Sequence, residues 1–349
     1  MAAPYRFQPD LQLFVVLKTG RRMVRPNDGG HVLHNVSEAE IRGRQSANAE
    51  ILWLLGQPQL EDYLSFVKDK VIGGAGIDPH SLADEWRAAN DVYYDLEQSE
   101  AGAADEAGCL PLDPALEPLA AALKADPYFR ATFDTLPTEI RMVELDKLIV
   151  SQKHIACLFS EERARLLGAT PEPEALFRFC LPLDRENPPV RIQRLSSDRY
   201  LFSSESTDLR AHEPALLRRD QLANIGSFGP IAGVVGLIVG FGSNFLTAIR
   251  SDTRMVLHNG YHRAYSLRAL GITHAPCIVE TVTRKDELRI AASETVSADP
   301  EFYFAARRPP MLRDFFNPAL VKRLAVRPME TAVEVEFKMR SWTTTDCSD

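Results

Sequence analysis

The residues best placed for chemistry lie in one short run, His258 to Gly271, reading HNGYHRAYSLRALG. Asn259-Gly260 is a turn signal. The apolar RMVL before it, residues 254–257, reads as a strand. After it, Ala264, Leu267 and Leu270 are spaced three apart, as one face of a helix requires, and Gly271 falls where a C-cap glycine belongs. NGYHR therefore occupies a strand-to-helix turn. The start of a helix presents N–H groups and the positive end of its dipole, which suits an anion. Asn259, Gly260 and Tyr261 would line that turn, and His262 and Arg263 would add donors in the first turn. His258 is read as structural, facing the other side of the strand end. Ser243 and Asn244, in GFGSN, would lie one strand away and within reach of a ligand at the turn.

The elements that must hold these residues follow from pattern. Ser37 to Glu40 has capping-box form and predicts a helix to Gly56. Helical spacing recurs from Leu60 to Val71, from Leu82 to Leu96 and over 114–134. The first part of the chain, 1–139, thus reads as a mostly helical domain. IRMVELDKLIV (140–150) reads as strand, and SQKHIACLFSEERARLLG as a helix ending at Gly168. Residues 171–220 read as short strands and loops. Two strands with a tight turn precede NGYHR, and a strand, THAPCIVETV, comes after the helix. A helix capped by Thr283 is predicted to about Val296, and alternation at Val333, Val335, Phe337 and Met339 marks a last strand. The expected domains are 1–139, a core at 140–297 interrupted by a strand-rich insertion at about 169–230, and an extension at 298–349. The fold class is α/β in the broad sense, more closely α+β.

Composition bounds the partners. The chain has 349 residues, 45% of them hydrophobic and 25% charged, the make-up of a globular protein, and a formal net charge of −8. That charge gives no help to nonspecific nucleic-acid binding. The five cysteines stand singly, without the CxxC spacing of a zinc site, so a reducing, cytoplasmic setting is expected. The opening MAAPYRFQPD lacks the basic-then-apolar order of a signal peptide. Residues 222–249 carry no charge, but Pro230, Asn224, Asn244, serines and many glycines interrupt them. Such a stretch fits buried strands better than a membrane span, and no membrane contact is expected. Arg307, Arg308, Arg313, Lys322 and Arg323 read as a solvated face or as a contact for an acidic partner or nucleic acid.

The order strand, helix, hairpin, Asn-Gly-x-His-Arg turn, helix ending Leu270-Gly271, Pro276-containing strand and Glu294-containing helix resembles the ParB/sulfiredoxin superfamily. The resemblance implies a ParB/sulfiredoxin-like mixed core that binds a nucleotide, ATP, ADP or CTP, with Mg²⁺. By position, Gly260 would let the backbone approach the phosphates, His262 and Arg263 would neutralise them, and Glu294 would be a metal ligand. Tyr261 stands where sulfiredoxins carry their reactive cysteine, so reduction of a sulfinylated partner is not expected. The related serine kinases use a glutamate soon after the first strand, where this chain has Gln152, Lys153 and His154. His154 would then be the base, with His262 as the second candidate for proton transfer and Lys153 as a phosphate contact. No helix-turn-helix pattern follows Val296, so the DNA reader of partition proteins is missing.

Two functions stay open. One is a nucleotide-dependent phosphotransferase or nucleotide hydrolase acting on a small molecule. The other is a non-catalytic, nucleotide-gated binding or regulatory protein that contacts a protein partner through its N-terminal domain, or a nucleic acid.

Overall fold

A computed structural model describes residues 15–23, 31–32, 49–57, 59–183, 188–206, 208–212, 214–218, 232–327 and 329–341. Two compact units divide the chain. One comprises Met1–Gln45, Glu186–Gly242 and Pro328–Asp349; the other comprises Ser46–Arg185 and Ser243–Arg327. The divisions fall at other points than 139/140 and 297/298, and the first unit is built partly from a segment inserted into the second. Both helices and mixed sheets are present, so the fold is α+β.

The first unit is antiparallel. Strands β1 (Val15–Met23), β2 (His31–Val32), β8 (Arg191–Arg194), β9 (Arg199–Ser204) and β18 (Met329–Phe337) form a sheet in the order β1-β18-β9-β8-β2. Strand β10 (Leu209–Ala211) pairs with β13 (Val239–Phe241), and β11 (Ala215–Leu217) with β12 (Val234–Gly236). The alternation expected at the C-terminal strand holds for Val333 and Val335, which are buried with Leu209 against Phe202, Val239 and Phe241, whereas Met339 is exposed beyond the strand end. Among the described residues no helix is long and apolar enough to cross a membrane. The described end of the uncharged 222–249 stretch forms short strands; its first part lies outside the described residues, as does the expected capping box at 37–40.

The second unit contains the Asn-Gly-x-His-Arg run. Its main sheet has the order β4-β5-β16-β14-β15-β6, with β4 (Cys109–Leu110), β5 (Thr138–Glu144), β6 (Ile149–Val150), β14 (Thr247–Ser251), β15 (Arg254–Asn259) and β16 (His274–Val282). It is mixed: β14 runs parallel to β16, and β15 to β6, while the other pairs are antiparallel. The hairpin β14–β15 closes through Asp252 and Thr253, with Asp252 at φ 51°, a left-handed conformation that a short polar side chain tolerates. A second sheet has the order β17-β3-β7, with β3 (Ala49–Leu54), β7 (His154–Ala156) and β17 (Val321–Val326).

The helices are α1 (Leu60–Lys70), α2 (Pro79–Ser99), α3 (Glu117–Ala125), α4 (Pro127–Thr132), α5 (Cys157–Leu167), α6 (Pro173–Cys180), α7 (Tyr261–Ala269), α8 (Lys285–Ala291), α9 (Glu294–Ala298) and α10 (Pro300–Phe304). Pro118 and Pro127 interrupt nothing, because each sits in the first turn of its helix, where no intrahelical N–H bond is lost. Asp126 caps α4 by accepting from the Tyr128 and Phe129 N–H groups at 2.9 and 3.2 Å.

Several expectations need correction. The helix predicted to Gly56 is, over its described part, strand β3: in AEILWL the apolar run Ile51–Leu54 is buried, and the strand is paired on both sides by β17 and β7. Tertiary pairing decides between helix and strand for such short runs. The apolar run of residues 176–181, read as extended, belongs mostly to α6, whose buried Phe177 and Cys180 are three residues apart. The helix expected to continue to Val296 breaks at Ala292 and Ser293 into α8 and α9. The basic cluster is a solvated face only in part: Arg307 and Arg323 are exposed, Arg313 and Lys322 half-buried, and Arg308 buried. Arg308 is 4% exposed and grips Asp314 (2% exposed) through two bonds of 2.8 and 2.7 Å, while its Nε reaches Glu100 at 2.9 Å. Tyr93 of α2 donates to Asp314 at 3.2 Å and Met311 N–H donates to it at 2.8 Å. Arg313, Lys322 and Arg323 pair with Glu100, Glu85 and Glu50.

Candidate functional site

Gly260 stands between β15 and α7 at φ 88°. A Cβ there would lie 2.9 Å from Leu246 Cδ1 and 3.1 Å from Leu246 Cα. Glycine is thus required twice, by the left-handed backbone and by the close approach of the neighbouring strand. Its carbonyl accepts the first helical bond, from Ala264 N–H at 2.9 Å, and no side chain caps the helix. Asn259 Oδ1 accepts from Gly260 N–H at 2.9 Å. The start of α7 therefore has the geometry expected from NGYHR: a tight glycine turn opening into a nine-residue helix.

The side chains divide into an inner and an outer set. Tyr261 is inner: its ring is 7% exposed, its hydroxyl donates to the Leu257 carbonyl, and it also meets Ser151 Oγ at 2.9 Å and Ser151 N–H at 3.3 Å. Burial pushes this phenol above its usual range. Arg263 is inner too, at 6% exposed. One terminal nitrogen donates to the Asn244 carbonyl and the other to Asn244 Oδ1 at 2.8 Å. Asn244 adopts φ 44°, and the arginine fork holds that strained residue in place just before β14. The expectation that Ser243 and Asn244 lie near the turn is thus met for Asn244 by direct contact, but with Arg263 directed at protein. Beneath it, burial pushes the Cys180 thiol up to about 12, against the opposing pull of Arg263.

His262 is in the outer set. Its ring meets the Phe159 ring of α5 edge-on, with centroids 5.3 Å apart at 89°. Phe159 is 45% exposed, and the Arg163 guanidinium lies over it, 4.9 Å from the ring centre. Helix α5 packs beside α7, where Ser266 Oγ donates to the Ser160 carbonyl at 2.8 Å.

The other expected site residues have partners outside the turn. Lys153 pairs with Asp62 of α1. His154 lies in β7, opposite Trp53 of β3; their rings stack with centroids 5.8 Å apart and planes 3° apart, and Phe66 meets the same imidazole. These contacts come from the β17-β3-β7 sheet and α1. Glu294 is exposed at the first position of α9. Among the described residues, no group of three or more His, Cys, Asp or Glu side chains is arranged to hold a metal ion.

Two residues escaped the sequence reading. Thr247, in register with Asn259, is 1% exposed, and its hydroxyl has no hydrogen-bond partner among the described residues. Glu280 is 9% exposed on β16, in register with Ile249 of β14 and Thr138 of β5. Ladder neighbours share a face, so Glu280 lies with Ile249 and Val282, the face that packs against Leu288 of α8. Burial alone raises its carboxyl to about 7. The signal for Glu280 was in the sequence, as a lone acid inside the apolar CIVETV. Comparison with protein-family models, with curated proteins and with solved structures returns no match.

Proposed function

We propose that the second unit binds the phosphates of a nucleotide, ATP, ADP or CTP, at the turn between β15 and α7. The observation that carries this reading is the uncapped start of α7 at Gly260. A helix opening on a left-handed glycine directs backbone N–H groups and the positive dipole end at one point, and that combination favours an anion. His262 beside it adds a side chain that can donate. The resemblance to the ParB/sulfiredoxin superfamily, carried by Asn259, Gly260, His262 and Arg263 in their strand–turn–helix context, supports the same ligand. Mg²⁺ bound with the nucleotide would offset phosphate charge, and Glu294 is the residue of this chain that the resemblance puts forward to hold it.

Bound nucleotide has two uses. In a phosphotransferase or hydrolase acting on a small molecule, the chain must supply a proton acceptor and a cation for the phosphoryl oxygens. In a nucleotide-gated protein, binding alone suffices. The Arg263–Asn244 contact favours the second use, because the guanidinium is buried and engaged by protein groups.

The test is titration calorimetry of ATP, ADP and CTP, with and without Mg²⁺, into the wild-type protein, followed by a phosphate-release assay on any ligand that binds. Binding without turnover supports the gated reading, and turnover supports the enzyme. If none of the three nucleotides binds, the nucleotide assignment fails.

A further inference from the structure

Phe159 is a large aromatic side chain left 45% exposed, although α5 has a buried side on which Cys157 and Ser160 lie. Its contacts are specific. His262, from the Asn-Gly-x-His-Arg turn, meets it edge-on at 5.3 Å. Arg163, one turn further along α5 and therefore on the same side, lies over the ring at 4.9 Å. Unlike many arginines of the second unit, Arg163 makes no side-chain ion pair or hydrogen bond among the described residues. One strip of surface thus runs from the start of α7, through His262, to an exposed ring and a cation not engaged by any carboxylate.

We propose that α5 supplies the base-binding half of the nucleotide site, with Phe159 as the stacking platform for the nucleobase and Arg163 as its cationic flank. This rests on the reading of the turn as a phosphate site and names which part of the chain takes the rest of the ligand. Every nucleobase has a π-face, so stacking on an aromatic ring is tolerant of base identity. An arginine over one face of the ring adds cation–π attraction and planar donors. The geometry is economical: the residue contacting the platform, His262, is two residues from Gly260, so phosphates at the turn and a base on Phe159 lie on adjoining surface. Discrimination among ATP, ADP and CTP would then be weak at the base and set mainly at the phosphates.

The experiment compares ATP and CTP with inorganic tripolyphosphate, all with Mg²⁺, by titration calorimetry into wild type, Phe159→Ala, Phe159→Leu and Phe159→Trp. Circular dichroism checks folding, and Phe159→Leu keeps apolar bulk without the ring. The expected result is that Phe159→Ala and Phe159→Leu weaken ATP and CTP about tenfold. Phe159→Trp should retain affinity, and tripolyphosphate should bind all four proteins equally. Wild-type affinity for ATP and CTP in Phe159→Ala overturns the platform but leaves the phosphate turn standing. Equal weakening of nucleotide and tripolyphosphate also overturns it, since Phe159 would then merely shape the turn. If wild type binds neither nucleotides nor tripolyphosphate, the phosphate reading and this inference fall together.

Discussion

Glu280→Gln should make the protein more stable at pH 8 and leave it nearly unchanged at pH 4. The carboxyl sits on a central strand, 9% exposed, on the face covered by α8, and burial raises it from an ordinary 4.5 to about 7. Arg250 and Glu139 occupy neighbouring strands, but Arg250 is in register with Thr281, one residue along, and donates to its hydroxyl at 3.0 Å. Among the described residues no charge offsets the burial of Glu280. For an acid whose folded value is raised, the folded state holds the proton more tightly than the unfolded chain. Stability therefore falls as pH climbs from the unfolded value through the folded one, and is level above it. A difference of about 2.5 units at roughly 1.36 kcal/mol each amounts to about 3 kcal/mol in full. Glutamine keeps the shape without the charge and removes this dependence. Urea unfolding followed by tryptophan fluorescence is the assay, with Trp53 buried in the same unit. The stability gain of Glu280→Gln over wild type should grow by about 2.5 kcal/mol between pH 5 and pH 8. Parallel stability–pH curves for the two proteins would refute the burial argument.

Gly260→Ala should cost about 1–3 kcal/mol through left-handed backbone strain and the clash with Leu246, and should abolish nucleotide binding; chemical denaturation and calorimetry read the two effects. Arg308→Met leaves Asp314 buried and uncompensated beneath Tyr93, so the unfolding free energy should fall by about 3–5 kcal/mol; a loss below ~1 kcal/mol would mean the pair adds little. Arg263→Ala strips Asn244 of its carbonyl and amide partner and should cost about 1–3 kcal/mol. Arg268→Ala, which breaks the partly exposed pair with Asp146, should cost under about 1 kcal/mol; equal losses in urea melts would contradict the inner placement of Arg263.

Local pattern was enough where the signal is local. The spacing of Leu60 to Val71 and of Leu82 to Leu96 appears as α1 and α2, and the Asn259-Gly260 turn, helix α7 and the Gly271 stop stand where dihedral preference puts them, with Gly260 and Gly271 both at positive φ. A glycine that needs φ > 0 and a stripe with helical period are properties of a few consecutive residues. What distant chain segments decide was not legible. AEILWL is a strand because Val321–Val326 and His154–Ala156 flank it, and the LFRFCL run lies mostly in α6 because Phe177 and Cys180 face a core. The direction of polar side chains was hidden in the same way. His262 and Arg263 are adjacent in sequence and equal in apparent chemistry, yet α7 turns one toward Phe159 and the other toward Asn244. Successive residues on a helix point about 100° apart, so which of two neighbouring side chains faces outward is set by what packs against the helix. Arg308 shows the same limit: its charge is visible in the sequence, whereas its burial depends on Asp314 and Glu100 arriving from elsewhere.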